Sequence, residues 1–421
     1  MSFQTKLTSL CIAAGLAVTQ VSLADMIQFE QSADVTLSSL TQNVYEQHPG
    51  LRSELAQQQQ INANTDLANA RFADVKSINL NHQNDVIGSS DGFQEWEASV
   101  DMPLWLPGQQ QQLLLISDTM TAELPAYKQQ IKLAASATVR ELVWNVVLAD
   151  NANQQAHQVW QTAQKLEKDV DARVKAGELA GTERLLASTN ALDKHSQYLL
   201  TQAELEHTLS SYQHITGQQS LPMNYEETLT KNSSDNQHHS LEKVGQEHPY
   251  LMVLEQQIST LRAQQGLAYF DGAVNPSLSV GMRSERDGHG DSFSNSIGIG
   301  FSFALDDDVY RRPAIANAAK ELADAEIARQ HLERELNITL FSQYHDLETK
   351  QQQLVLLNGQ NDTTQQYYSL QQRAFELGEI DLVSLLRSQS LANETYNRKQ
   401  ALEVDIKHMI ALVNQALGFT L

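Results

Sequence analysis

Apolar and polar residues alternate one by one in four short runs of this chain and recur at helical spacing through most of the rest. Over residues 294–305 the side chains of Ile297, Ile299, Phe301, Phe303 and Leu305 fall on one face, and Ser296, Gly298, Gly300, Ser302 and Ala304 fall on the other. Residues 276–284 repeat the pattern, with Leu278, Val280 and Met282 opposite Ser277, Ser279 and Gly281. A period of two places every large apolar group on one side of a β-strand. The polar run 285–291, with Gly288 and Gly290, reads as the turn between these strands. An earlier pair, 75–84 with Ile78 and Leu80 and 94–104 with Trp96, Ala98, Val100, Met102 and Leu104, predicts a second hairpin around the loop 84–92.

The helical pattern is unusually long. Between residues 312 and 375, Leu332, Leu336, Leu340, Tyr344, Leu347 and Leu354 recur at spacings of three, four or seven, with Pro313 only at the start and Gly359 the single glycine. At ~1.5 Å per residue this stretch spans roughly 95 Å. Residues 382–417 carry one stripe of Leu402, Ile406, Met409, Val413 and Leu417, and 119–175 and 182–216 are the matching helices of the first half. Such lengths exceed the width of a compact domain and predict coiled-coil packing in an elongated body. The turns Ala176-Gly177-Glu178 and Leu377-Gly378-Glu379 are short enough to fold each pair back antiparallel.

These elements come in the same order twice. His48-Pro49 returns as His248-Pro249, Arg173…Gly177-Glu178…Leu185-Leu186 returns as Arg373…Gly378-Glu379…Leu385-Leu386, and Gly217 returns as Gly418. The offset stays at 200 or 201, so the chain reads as an internal tandem repeat. Residues 25–217 form the first copy, with its hairpin at 75–104, and residues 241–421 form the second, with its hairpin at 276–305. The polar, aperiodic stretch 218–240 joins them.

Two hairpins with a large apolar face pose a physical problem, because an isolated hairpin is marginal in water. Runs of about 9–11 alternating residues have the length of a transmembrane β-strand. Lipid tolerates no unpaired strand edge, so several chains would have to pool their strands. The competing reading is the corner of a soluble sandwich.

The first 24 residues differ from the rest. Lys6 is their only charge, residues 10–21 are mostly apolar, and Ser22-Leu23-Ala24 suits signal-peptidase cleavage, so 1–24 reads as an export signal. The only cysteine, Cys11, lies inside it, which leaves a mature chain with neither thiol nor disulfide. The formal net charge is −22, and loss of Lys6 makes it one unit more negative. Such a chain is a poor partner for nucleic acid, whose phosphates require Lys and Arg. It has no Gly-Lys-Ser/Thr phosphate loop. Of the 13 histidines only His238-His239 are adjacent, in the polar linker, and His157, His195 and His207 have no histidine one helical turn away. No catalytic residue, metal site or cofactor is inferred, and the chain is not read as an enzyme.

The joint order of these features resembles the TolC-type outer-membrane efflux protein family, and within it the CzcC/CusC-like metal-cation efflux branch. The local matches are His48-Pro49-Gly50-Leu51 with His248-Pro249-Tyr250-Leu251, the strand entry 275–280, and the turn region 377–386. The resemblance implies a mainly α fold with a small membrane β part: a homotrimer whose four strands per chain form a 12-stranded transmembrane β-barrel, continuous with an elongated α-helical barrel in the periplasm. The implied function is a passive exit duct in the outer membrane, in contact with its lipid. A periplasmic adaptor and an inner-membrane pump, of the RND type, would serve it. Type I protein secretion and a non-pore periplasmic coiled-coil scaffold are the alternatives. In the family the helix-pair turns close the periplasmic end. The matching residues are Glu178, Glu183 and Arg184 in the first copy and Glu379, Asp381, Ser384 and Arg387 in the second. Ser384 and Arg387 stand where paired aspartates often occur in the family. Carboxylates at these places also suit helix N-termini as caps. Trp105 reads either as a membrane-interface anchor or as packing at a strand-to-helix elbow.

Overall fold

The structure, a computed structural model of the chain, describes residues 30–230, 243–305 and 308–421. The expected export signal and His238-His239 lie outside the described residues. The elements in order are β1 (Gln31–Ser32), α1 (Leu37–Glu46), α2 (Gly50–Ala68), β2 (Ser77–Asn84), β3 (Gln94–Pro103), α3 (Gln109–Lys175), α4 (Gly181–Thr216), β4 (Leu221–Pro222), α5 (Pro249–Ala268), β5 (Ser277–Arg286), β6 (Ser294–Ser302), α6 (Asp308–Glu376) and α7 (Leu382–Ala416). The α2–β2–β3–α3–α4 series of the first copy returns as α5–β5–β6–α6–α7 in the second.

The two hairpins form one antiparallel sheet in the order β2-β3-β5-β6. Their register aligns the apolar positions in rows across all four strands. Ile78 faces Val100, Val100 faces Val280, and Val280 faces Ile299; Leu80, Ala98, Met282 and Ile297 form the next row. The opposite face carries Asn81, Glu97, Arg283 and Ser296 in one row and Ser77, Asp101, Ser279 and Gly300 in another. The apolar face is uncovered: Ile297 is 81% exposed, and Ile78, Leu80, Ile299 and Phe301 are also exposed. Arg283 on the polar face bridges Glu95 at 2.6 Å and Glu285 at 2.9 Å. The charges of the sheet all sit on the inner strands β3 and β5, and the edge strands β2 and β6 hold neither a charged residue nor a proline.

The helices run far beyond this sheet. At ~1.5 Å per residue, α6 with its 69 residues reaches roughly 100 Å. α3 packs on α4 at one side and α7 at the other, and α7 packs on α6, giving a row α4-α3-α7-α6. Near the sheet, α2, α3, α5 and α6 make a second row. α3 begins at Gln109, ten residues before the periodic pattern suggests, and continues through Pro125. Packing explains this: Ile116 and Met120 are buried with Ile61 of α2 and Ala263 of α5, and Leu124 packs beside them. Burial on two sides offsets the hydrogen bond that a mid-helix proline removes.

Part-way along the body, residues 218–230 strap the copies together. β4 pairs in parallel with β1, Gln31 opposite Leu221. Arg140 of α3, 2% exposed, holds Glu227 through Nε at 2.7 Å and Nη2 at 2.8 Å and also reaches Gln415 and the Phe419 carbonyl. Asn414 donates to Glu227 and to the Thr228 carbonyl, both at 3.0 Å. His248, 3% exposed, caps α5 by accepting the Tyr250 amide, and burial pushes its pKa down to about 4. Gly418 closes against its ring, where a Cβ would lie 2.7 Å from the imidazole. At the first-copy equivalent, Gly217, a Cβ would meet nothing within 4 Å.

Candidate functional site: the tips of the helical hairpins

Each helix pair turns within a few residues. α3 ends with the Gly177 amide bonded to the Val174 carbonyl at 3.0 Å and the Glu178 amide bonded to the Arg173 carbonyl at 2.9 Å. α6 ends identically, with Gly378 on Phe375 at 3.1 Å and Glu379 on Ala374 at 2.8 Å. This double closure needs a left-handed residue, and Gly177 and Gly378 supply it with φ of +79° and +75°. A Cβ would meet nothing within 4 Å at either glycine, so their backbone angle, not space, is what requires them.

The geometry fixes the equivalence of the copies here at an offset of 201. Ala180 and Asp381 are the two N-caps, and Ala187 and Ser388 are buried at the same level. Arg373 is therefore one position out of phase with Arg173, and buried Leu385 corresponds to Arg184 rather than to Leu185. The conspicuous Arg and Leu-Leu matches of the sequence are not structural counterparts.

The candidate residues divide accordingly. Asp381 caps α7: its Oδ1 accepts the Ser384 amide at 2.8 Å, and hydrogen bonding from Ser384, its side chain first and its amide second, holds the carboxyl below the ordinary carboxylate value. Ser384 is thus the capped residue. Glu178 and Glu379 spend their backbone amides on closing α3 and α6 and are exposed. Glu183 lies in the first turn of α4, with Oε2 enclosed and without a hydrogen-bond partner. Arg184 pairs across its own hairpin with Asp171 of α3 at 4.0 Å. Arg387 is exposed, and no ion pair of it is found among the described residues.

Both hairpins meet in one apolar cluster. Val170 and Ala187 enter from the first, and Phe375, Leu382 and Leu385 enter from the second. Arg173, absent from the sequence-based candidates, is the polar side chain that crosses between them. Its guanidinium lies 5.2 Å from the Phe375 ring, and Nη1 donates to the Phe375 carbonyl at 3.4 Å. The sequence carries no signal for a contact spanning 202 positions.

Elsewhere the residues weighed for chemistry pack structurally. Trp105 donates through Nε1 to the Ala70 carbonyl at 2.8 Å, which fixes the elbow between α2 and α3. His195 stacks on Trp160 at 4.3 Å, and His157 tilts against Tyr198 at 5.0 Å. Among the described residues no group of three or more His, Cys, Asp or Glu could hold a metal ion, and no helix is long and apolar enough to cross a membrane.

Solved structures share this whole architecture. The outer-membrane channel OprN superposes with a TM-score of 0.69 at 18% identity, over 94% of this chain and 93% of that one. The chain has the fold of the outer-membrane channels. CusC, described for the conformational changes that accompany its folding and transmembrane channel formation, matches at 0.68 with 14% identity over 93% of each chain. The MtrE outer-membrane channel of Neisseria gonorrhoeae, in its open state, matches at 0.65 with 13% identity over 94% of this chain and 98% of that one. No protein-family model and no curated protein sequence matches the chain.

Proposed function

We propose that the chain is the outer-membrane channel of a tripartite efflux system, a homotrimeric passive exit duct for small molecules or metal cations. An inner-membrane pump of the RND type would deliver the cargo through a periplasmic adaptor. The carrying observation is the two-faced sheet with bare edges. Soluble sheets blunt their edges with charge or proline, whereas here the edges are the uncharged strands. The first copy ends one side of the molecule, at β2 and α4, and the second ends the other, at β6 and α6. A head-to-tail contact of β6 with the next β2 and of α6 with the next α4 closes a ring. Three chains give twelve strands, and a strand of about ten residues tilted near 40° matches an apolar band of roughly 25 Å. The outer faces of the end helices support the same contact: Leu185, Leu192 and Leu199 of α4 and Leu356, Leu370 and Leu377 around α6 are exposed at heptad spacing.

The charged and polar residues at the tips, Glu178, Glu183, Arg184, Glu379, Asp381, Ser384 and Arg387, are proposed to line the periplasmic end of this duct. A non-pore scaffold gives the exposed apolar face no partner, and the duct gives it lipid. The test is purification from outer membranes in detergent, followed by native mass and planar-bilayer recording. A heat-modifiable trimer that conducts ions is expected. A detergent-free, monomeric extract without conductance overturns the proposal.

A further inference from the structure

Three helices meet at the roots of the two β-hairpins: α2 leads into β2, α5 leads into β5, and α3 follows β3. One stripe of α3 serves both short helices. Ile116 and Met120 pack with Ile61 of α2 and Ala263 of α5, and Tyr127 donates to the Gly50 carbonyl at 3.3 Å. Glu123 stands on the same stripe, roughly 20 Å along α3, and is only 7% exposed. Gln257 of α5 donates to its carboxylate, and no ion pair of it is found among the described residues. A buried carboxylate without a counter-charge is costly, and such a group takes up a proton instead. Burial accordingly holds the Glu123 carboxyl above its ordinary value, against the opposing bond from Gln257.

The surroundings lack a donor as well as a positive charge. On α2, Gln57 falls between Glu54, which pairs with Lys128 at 2.8 Å, and Asn64, which donates to the Met120 sulfur at 3.7 Å. It is therefore level with Glu123, and its Oε1 is enclosed without a hydrogen-bond partner. On α5, Thr260 falls between Gln257 and Ala263, is 7% exposed, and has its Oγ1 enclosed and unpartnered in the same way. The nearby charges are engaged elsewhere: Lys128 by Glu54, and Glu255 and Arg262 of α5 by Arg329 and Glu326 of α6, each at 2.8 Å. Arg52, Asp66 and Asp118 are exposed. Protonation of Glu123 thus removes an uncompensated charge and adds an O–H to a layer with open acceptors. We infer that the junction of α2, α3 and α5 is a proton-responsive collar, which Glu123 tightens when it takes up a proton and loosens when it gives the proton up. The junction lies within one chain, so the inference does not depend on the channel reading.

The experiment is hydrogen exchange of the full-length protein and of Glu123→Gln, read as amide protection over residues 57–64 and 257–263 from about pH 8 down to 4.5. Glutamine keeps the shape and a donor without the charge, so it stands for the protonated collar. Because the raised carboxyl is neutral below its ordinary value of 4.5, its stabilisation is complete there and is lost as pH rises through the raised value. Near pH 8 the glutamine variant is expected to be about fivefold more protected than wild type, and the two should converge in acid. The difference between the two proteins is the readout, because His248 at the start of α5 changes in the opposite sense in both and cancels. Glu123→Met, also uncharged, carries the same comparison if the glutamine variant fails to fold. A difference that is zero throughout, stays constant with pH or grows in acid overturns the collar.

Discussion

At the first tip, α4 starts on Ala180, which offers no side-chain acceptor to the free amides of its first turn. At the second, α7 starts on Asp381, whose carboxylate takes the Ser384 amide at 2.8 Å. The second tip also supplies Phe375, Leu382 and Leu385 to the shared cluster, against Val170 and Ala187 from the first. The first tip gives the lateral contact instead, through Arg173. Two copies of one turn have thus taken separate parts. The second is closed by its own residues, and the first is held from the side. A symmetric pair would be closed alike at both tips, whereas this pair is capped by a side chain at only one of them.

The largest effect should come from the same helical position in the two copies. Phe375→Ala empties the centre of the cluster and is expected to cost about 3–5 kcal/mol. Val174→Ala, one repeat earlier, should cost clearly less, because Val174 packs only at the margin. Denaturant unfolding of the detergent-purified protein measures both, and equal losses would erase the asymmetry.

Next comes acid. His248 is buried as the neutral base, with its pKa pushed from 6.5 to about 4. The unfolded chain binds this proton more readily, so the stabilisation is complete above pH 6.5 and disappears as pH falls toward 4. At ~1.4 kcal/mol per unit the loss amounts to about 3 kcal/mol. Hydrogen exchange at the start of α5 should show the step, and His248→Asn, which keeps an acceptor for the Tyr250 amide, should remove it. A pH-independent α5 would contradict the assignment.

The smallest effect is an exchange of caps. Ala180→Asp should give the first tip the cap of the second and add about 1 kcal/mol to the end of α4. Asp381→Ala should speed exchange of the Ser384 amide several-fold. The Asp381 carboxyl is held below its ordinary value, so its cap is present above that value and is lost as pH falls through the lowered one. The two tips should therefore become alike in acid. Exchange rates at Ser384 that do not change with either treatment would show that Asp381 is no cap.

Local periodicity made much of this fold legible. The alternation at 94–104 and 294–305 located strands β3 and β6, and the long stripes located α3, α4, α6 and α7, because two-faced strands and packed helices write their faces directly into the residue pattern. The first ten residues of α3 escaped the reading, since their helical state depends on packing against α2 and α5 rather than on a local stripe. At the tips the sequence led to the right turns and to Asp381, whose cap is a three-residue relation. It missed Arg173–Phe375, which depends on how two distant hairpins settle against each other. It also paired Arg173 with Arg373, because identity of residue type is visible in a sequence and a one-residue change of helical phase is not. The strap at Arg140 and Glu227 was unreadable for the same reason as the Arg173–Phe375 contact.

The bare edges of the sheet have a consequence in time. The outer edges of strands β2 and β6 are uncharged and unpaired, and the apolar face beside them is open, so a single chain that has not yet met its proposed partners is a template for pairing with any extended segment. On the channel reading, safe passage to the membrane would require an escort that covers the strands, or a rate of partner-finding faster than mispairing. The formal net charge of −22 would keep stray copies apart meanwhile, and pairing β6 with the next β2 would remove the last open edge.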